Sequence, residues 1–340
     1  MMPFKVCLSV TYGGSKGGGH LARVRYYLRE LTFRTPIAVT LIIDNDSVDL
    51  LEISNPRLIH EALITRPMHV QEVDDHFLNN EVGGFDLLLI DRCEASPAVL
   101  KLVPYSKKVV VISDSTDNPY LCIADLLVDF NYGAEQLVVH YQQYVRNECR
   151  LLLGWTYAPI KPDLVNAQEA FDHRWKRLSP PWEVLISMGS EDPLGFTEQA
   201  LVALQDSCLA QDVNNVKVVE GPLFNRNISY SDSLPLNVLS APQSLQEHYA
   251  SADLCISTGG VSTWERLCAN LPTRLVPYSD LQRTILMPLH EMGLIQLFPD
   301  FASLCSEPID PQKHLEQIEL MGRIPLGSKS QDVITSMLEP

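Results

Sequence analysis

Cations are scarce in this chain. Its 26 Lys and Arg face 42 Asp and Glu, a net charge of −16, and a surface of that sign repels polyphosphate backbones, which are held by Lys and Arg that displace counterions. Non-specific nucleic-acid binding is excluded. Long apolar runs are lacking as well. None approaches the roughly 18 residues of a membrane span, and the N-terminal apolar run 4–10 is interrupted by glycines too soon for a signal peptide, so a cytoplasmic address is expected. There is no CxxC pair. The eight cysteines (Cys7, Cys93, Cys122, Cys149, Cys208, Cys255, Cys268, Cys305) are scattered, mostly in apolar runs where a reduced thiol packs as a small hydrophobe; neither a disulfide framework nor a zinc site is expected. No GxxxxGK[ST] occurs, which excludes a Walker-type NTPase. Solenoid repeats and low-complexity tracts are missing too.

What is present is enough apolar material for two cores. The 340 residues are 46% hydrophobic and 20% charged, and at about 150 residues per domain the length suggests two domains. FKVCLSVTY reads as a strand, GGSKGGG as a glycine turn, and HLARVRYYLREL as a helix with Leu21, Val24, Tyr27, Leu28 and Leu31 on one face. The alternation continues through IAVTLIID (strand), a polar, helix-prone stretch from Asp46 to Asn80, FDLLLID (strand), SPAVLKLV (helix) and KVVVISD (strand). Short, continuously apolar strands separated by helices indicate a parallel sheet covered on both faces. The periodicity weakens between Cys149 and Pro181, where Pro159, Pro162 and HRWKRLSPP fall. It restarts with WEVLISMGS and continues as a second α/β pattern through DLCISTGG, STWERLCAN and TRLVPY. Residues 1–165 and 180–325 are the expected Rossmann-like domains, 166–179 the linker, and 308–340 a helix near His314–Met321 followed by a loose tail.

The first glycine loop admits three readings. Gly13-Gly14-Ser15-Lys16-Gly17 fits the GxSxG nucleophile elbow, but a five-residue glycine-rich pattern is weak evidence and nothing supplies the base. Gly17-Gly18-Gly19-His20-Leu21-Ala22 fits the GxGxxA dinucleotide fingerprint, with Asp44 ending the next strand where a ribose-binding carboxylate belongs. On that reading His20 sits awkwardly inside the turn. The third reading gives His20 the central part: the glycines turn the chain sharply and the imidazole projects from a helix start into the crevice beyond the strand ends, where ligands of open α/β sheets bind. The positive end of the helix dipole there is expected to favour the neutral imidazole, a competent general base. Arg23, one turn on, can approach a phosphate or pair with a carboxylate.

In the second half, Ile256-Ser257-Thr258-Gly259-Gly260-Val261-Ser262-Thr263-Trp264-Glu265 ends a strand, crosses a glycine turn and opens a helix. Backbone amides at such a turn can hold phosphate without a lysine, and Glu265 is placed to hold a ribose hydroxyl. Ser262 and Glu265 also match a capping box, which serves stability alone. Ser187-Met188-Gly189-Ser190 forms a matching strand-end turn. His69, Asp74, Asp75 and His76 are close in sequence but read as a solvated helix face, so no metal site is expected.

Several stretches, taken in order, resemble one family. They are Gly17-x-Gly19-His20-Leu21-x-Arg23, Phe85–Asp91, Val111–Asp114, Ala124–Ala134, Leu152-Leu153-Gly154 leading to Tyr157-Ala158, Met188–Pro193, Ala252-Asp253-Leu254, Gly259-Gly260-x-Ser262-Thr263-Trp264-Glu265 and Gln282-Arg283. The chain is similar to the UDP-sugar hydrolases of pseudaminic acid biosynthesis and the related spore-coat polysaccharide proteins, members of the GT-B superfamily. The resemblance implies a GT-B fold of two Rossmann-like domains, with the active site in the interdomain cleft. It further implies a UDP-sugar substrate, attack of water on the anomeric carbon with His20 as general base, inversion, departure of UDP, and no cofactor. It assigns nucleotide-sugar binding to Gly17, Gly19, Arg23, Asp91, Asn131, Tyr157, Gly189, Ser190, Gly259, Gly260, Ser262, Thr263, Glu265 and Gln282. The chain departs from the family pattern at Ser113-Asp114, Arg92-Cys93, Val261 and Leu281. A nucleoside diphosphate leaves as a stable anion, so one base suffices where ordinary glycosidases need two carboxylates. An inverting glycosyltransferase, in which an acceptor hydroxyl replaces water, and a non-catalytic nucleotide-sugar-binding protein are the alternatives.

Overall fold

Runs such as LLLID and VVVI are strands because β-branched and aliphatic side chains fill both faces of a pleated ribbon that is covered on each side. The computed structural model describes residues 2–11, 19–43, 68–72, 84–166, 179–222, 224–226, 228 and 234–339. It divides into two compact units. Unit 1 comprises Met1–Pro159 and Gly327–Pro340, and unit 2 comprises Ile160–Leu326. The stretch 166–179 lies outside the described residues except at its two ends.

Among its described residues, unit 1 holds seven parallel strands: β1 (Phe4–Val10), β2 (Ile37–Ile43), β3 (Met68–Glu72), β4 (Leu87–Asp91), β5 (Val109–Ile112), β6 (Leu126–Asp129) and β7 (Arg150–Leu153). Their order in the sheet is β3-β2-β1-β4-β5-β6-β7. The chain therefore reverses its direction of travel between β1 and β4, and the crevice beyond their carboxyl ends is the switch point where ligands of doubly wound sheets bind. Helix α1 (Gly19–Arg34) buries the expected face: Leu21, Val24, Tyr27, Leu28 and Leu31 are all inside. Among the described residues that follow are the short helices α2 (Pro97–Leu102), which Ser96 caps by accepting from the Val99 amide, and α3 (Val138–Tyr141).

Among its described residues, unit 2 holds six parallel strands: β8 (Trp182–Ser187), β9 (Val213–Glu220), β10 (Leu236–Ser240), β11 (Leu254–Ser257), β12 (Thr273–Leu275) and β13 (Gln296–Leu297). Their order is β10-β9-β8-β11-β12-β13, with the switch point between β8 and β11. Its helices are α4 (Pro162–Asn166), α5 (Phe196–Gln205), α6 (Gln246–Ser251), α7 (Ser262–Cys268), α8 (Asp280–Glu291), α9 (Phe301–Ser306) and α10 (Pro311–Met321). Trp182, Ile186, Val218, Ile256 and Leu304 meet in its core.

Two sequence expectations are corrected here. The helix-prone stretch from Asp46 to Asn80 contains strand β3, which pairs with β2 from Val39↔Met68 to Ile43↔Glu72; as an edge strand it needs no continuous apolar run. The rest of that stretch lies outside the described residues. The loose tail is instead helix α11 (Ser330–Leu338), with Val333, Ile334 and Met337 buried. It belongs to unit 1, where the Arg34 guanidinium donates to Thr335 and Gln331, and Lys108 Nζ donates to the carbonyls of Ser336 and Glu339. No described helix is long and apolar enough to cross a membrane.

Candidate functional site

Parallel pairing of β1 with β4 sets Val10 opposite Asp91, and the Thr11 amide donates to the Asp91 carbonyl. Helix α1, which begins just past β1, thus starts beside the last residue of β4. His20 Nδ1 lies 2.6 Å from Asp91 Oδ1. One turn further, Arg23 donates from Nε to Asp91 Oδ2 and from Nη2 to Asp91 Oδ1, both at 2.5 Å. Its Nη1 donates to both oxygens of Asp114, at 2.8 and 2.7 Å. Asn131 Nδ2 donates to Asp114 Oδ1 at 3.0 Å and to Asp129 Oδ1 at 2.9 Å. Tyr141 closes the chain of contacts by donating its hydroxyl to Asp129 Oδ2 at 2.8 Å.

These contacts fix the tautomer. A carboxylate can only accept, so Nδ1 carries the proton it gives to Asp91, and Nε2 is the nitrogen left to exchange protons. Arg23 Nη2 is also 2.8 Å from Nδ1, but both are donors converging on one carboxylate oxygen, so this contact is repulsive. Nε2 lies 3.8 Å from Sγ of the exposed Cys93.

Charge follows the same geometry. Burial works against the ionised Asp91, yet Arg23 and His20 outweigh it and hold the carboxyl below its ordinary value. For His20, burial disfavours the imidazolium and Arg23 opposes it too, but the charge and hydrogen bond of Asp91, with a smaller contribution from Cys93, raise it from 6.5 to about 9. This corrects the expectation of a neutral imidazole kept so by the helix start: a carboxylate in direct contact outweighs the partial charge of a helix end. Asp129 is pushed up to about 6, by burial first and by the neighbouring Asp114 charge, against the hydrogen bonds from Asn131 and Tyr141.

Of the residues singled out in the first half of the sequence, His20, Arg23, Asp91 and Asn131 come together. Asp91 is wholly buried with both oxygens engaged, and Arg23 meets carboxylates rather than open solvent. Gly19 opens α1 with nothing within 4 Å of where a side chain would begin. Tyr157 follows β7, three strands from β4 in the sheet, with Lys329 Nζ 5.8 Å above its ring. Gly17, Ser15 of the elbow motif and Asp44 lie outside the described residues, as do Asp74, Asp75 and His76. Asp129 and Tyr141 are not among the residues singled out, and Asp114 and Cys93 enter there as departures from the family pattern, although two of the four are signalled: like LLLID before them, VVVISD and LLVD are apolar strands closed by an aspartate.

In unit 2, the last residues of β8 and β11 are joined by a hydrogen bond from Ser257 Oγ to the Ser187 carbonyl. Gly189 follows β8 with φ +94° and Gly260 follows β11 with φ +121°, a region other residues rarely adopt. Gly259 packs closely beneath helix α8: a Cβ there would lie 2.6 Å from Leu286 Cδ1 and 2.8 Å from Gln282 Cδ, so those side chains would have to move. Gln282 is thereby seated on the turn, its carbonyl oxygen accepting from the Tyr278 amide. Ser190 follows Gly189, and the carboxylate of Asp192 in the same turn accepts from the amides of Phe196 and Thr197 at the start of α5.

The capping box is not formed. Val261, the residue before α7, makes no side-chain cap. Ser262 Oγ instead accepts from Arg266 Nη1 at 2.9 Å, and Thr263 Oγ1 accepts from Arg266 Nη2 at 3.0 Å. Glu265 Oε2 accepts from the Tyr249 hydroxyl at 3.1 Å. Among the described residues, no group of three or more His, Cys, Asp or Glu is arranged to hold a metal ion.

No family model matches the chain. In sequence it is 22% identical over 303 residues to the spore coat polysaccharide biosynthesis protein SpsG of Bacillus subtilis (strain 168), covering 85% of this chain and 83% of that protein. In structure it matches Arabidopsis thaliana UGT89C1 complexed with UDP, with a TM-score of 0.55 at 12% identity, covering 99% of this chain and 100% of that one. It matches Acinetobacter baumannii MurG with a TM-score of 0.55 at 12% identity, over 98% and 99% of the two chains. Phytolacca americana UGT2, complexed with UDP-2fluoro-glucose and pterostilbene, gives a TM-score of 0.59 at 9% identity, over 99% and 100%. The chain has the two-unit α/β architecture of the GT-B fold, and over most of its length its sequence is similar to that of a spore coat polysaccharide biosynthesis protein.

Proposed function

We propose that this protein hydrolyses a UDP-sugar at its anomeric carbon, releasing UDP and the free sugar with inversion, in the biosynthesis of a surface polysaccharide. The observation that carries the reading is the His20–Asp91 contact at the switch point of unit 1, which dedicates Nδ1 to the carboxylate and leaves Nε2 to take a proton. Water oxygen attacks the anomeric carbon as its proton passes to Nε2, the bond from that carbon to the diphosphate breaks, and UDP leaves with the electron pair. The turns carrying Gly189, Ser190, Gly259, Gly260, Ser262 and Thr263, with Gln282, hold the nucleotide, and Glu265 takes a ribose hydroxyl. SpsG, named for polysaccharide biosynthesis, and the UDP and UDP-sugar complexes of the structural relatives support this choice of substrate.

With His20 titrating at about 9, roughly one imidazole in a hundred is neutral at pH 7. On this reading kcat/KM rises with pH until the base form predominates. Asp114 and Asn131, joined to the same network, complete the polar surface around Arg23.

The second reading, an inverting glycosyltransferase, uses the same dyad on an acceptor hydroxyl, and is favoured by the likeness in fold to the glycosyltransferase SnogD of Streptomyces nogalater, with a TM-score of 0.51. Incubation with a panel of UDP-sugars decides between them. UDP release in water alone supports the hydrolase, release only on adding an acceptor supports the transferase, and UDP binding without turnover of any nucleotide-sugar overturns both.

A further inference from the structure

Arg266 is 0% exposed, and a buried cation is tolerated where a counter-charge or a full set of acceptors offsets its lost hydration. The buried Arg23 and Arg274 follow that rule. Arg23 meets two aspartates, and Arg274 gives Nε to Gln296 and both terminal nitrogens to the carbonyls of Leu304, Glu307 and Pro308. Arg266 does not. Its acceptors are the hydroxyls of Ser262 and Thr263 and the carbonyl of Thr258, all neutral, and among the described residues its Nε has no hydrogen-bond partner. Every one of these acceptors belongs to one turn, 258–263, whose Gly260 is exposed and has open space where a side chain would stand.

We propose that Arg266 is the electrostatic anchor of an anion site on this turn, and that its missing counter-charge is the diphosphate of a nucleotide ligand. The inference deepens the nucleotide-sugar reading and rests on it. Arg266 is a positioning residue, acting through the turn. Its guanidinium fixes the half-buried Ser262 hydroxyl by occupying a lone pair, so that the hydroxyl proton remains available to an anion, and it braces the turn through the buried Thr263 hydroxyl. It also holds the Thr258 carbonyl inward and supplies a positive charge, little screened by solvent, behind the amides of Gly259 to Val261. A mainly acidic chain can in this way bind a phosphorylated ligand without a surface lysine.

The test is calorimetric titration of the full chain with uridine, UMP, UDP and inorganic pyrophosphate, using the natural protein, Arg266→Gln and Arg266→Lys. UDP affinity is expected to fall about 10- to 100-fold in Arg266→Gln, as expected for loss of a buried charge facing an anion. UMP affinity falls less, uridine affinity stays within about twofold, and Arg266→Lys recovers part of the loss. The melting temperature of ligand-free Arg266→Gln holds or rises, because an unpaired buried charge has gone. Uridine losing as much affinity as UDP would mean that Arg266 merely shapes the turn, and unchanged UDP affinity would also overturn the proposal. Should Arg266→Gln fail to fold, Arg266→Lys decides alone: a loss that grows from uridine to UMP to UDP supports the anchor, and equal losses for all three overturn it. If the natural protein binds pyrophosphate in an Arg266-dependent way but takes no UDP, the uridine nucleotide reading fails and the anion anchor stands. Binding neither overturns both.

Discussion

Replacing Asp91 by Asn retains the shape of the side chain and removes the charge that raises His20. The rise from 6.5 to about 9 corresponds to about 3 kcal/mol of preference for the imidazolium. Without the carboxylate, burial and the Arg23 charge oppose the imidazolium and only the smaller contribution of Cys93 still favours it, so His20 in Asp91→Asn titrates below 6.5. The ascending limb of kcat/KM therefore moves down by more than about two pH units. Turnover does not rise with it. Arg23 donates twice to residue 91, so the Asn oxygen turns to the guanidinium and its NH2 to Nδ1, which places the remaining imidazole proton on Nε2, the wrong tautomer for a base. A loss of about 10²- to 10⁴-fold is expected, comparable to removing a general base. The assays are the pH profile of UDP release and the NMR titration of the His20 ring protons in both proteins. A natural protein whose limb lies near 6.5, or an Asp91→Asn limb still near 9, would refute the reasoning.

Stability carries the same signature. The folded-state value of His20 lies above its unfolded one, so its contribution is complete below about pH 6.5 and is lost as pH climbs to about 9; the melting temperature falls across that window in the natural protein, and the fall flattens in His20→Asn. Helix α11 is a structural part of unit 1, so Ile334→Ala, at a fully buried position, costs about 2–4 kcal/mol in denaturant unfolding. A change under about 0.5 kcal/mol would mean that the helix does not dock.

Much of this was legible because it is local. The stripe of Leu21, Val24, Tyr27, Leu28 and Leu31 specifies α1 by spacing alone, and glycine turns mark the ends of β8 and β11. Strand β3 was not legible, since MHVQE at a sheet edge carries no apolar run, and α11 was obscured by the turn-rich segment before it. The charge state of His20 was the larger loss. Asp91 is 71 residues away in sequence, and only the strand order, which sets β4 beside β1, brings its carboxylate to the imidazole. A dipole argument made from His20's own helix could not include it. Arg266 was hidden for a related reason: the Ser262–Glu265 spacing matches a capping box, and only the fold reveals that the serine hydroxyl faces the arginine instead.

The most direct test of the account is His20→Asn, assayed for UDP release from a nucleotide-sugar that the natural protein turns over and, in parallel, for UDP affinity. Turnover is expected to drop by about 10²- to 10⁴-fold, with UDP affinity changed less than about threefold. Near-normal turnover in the variant would contradict the assignment of His20 as the base.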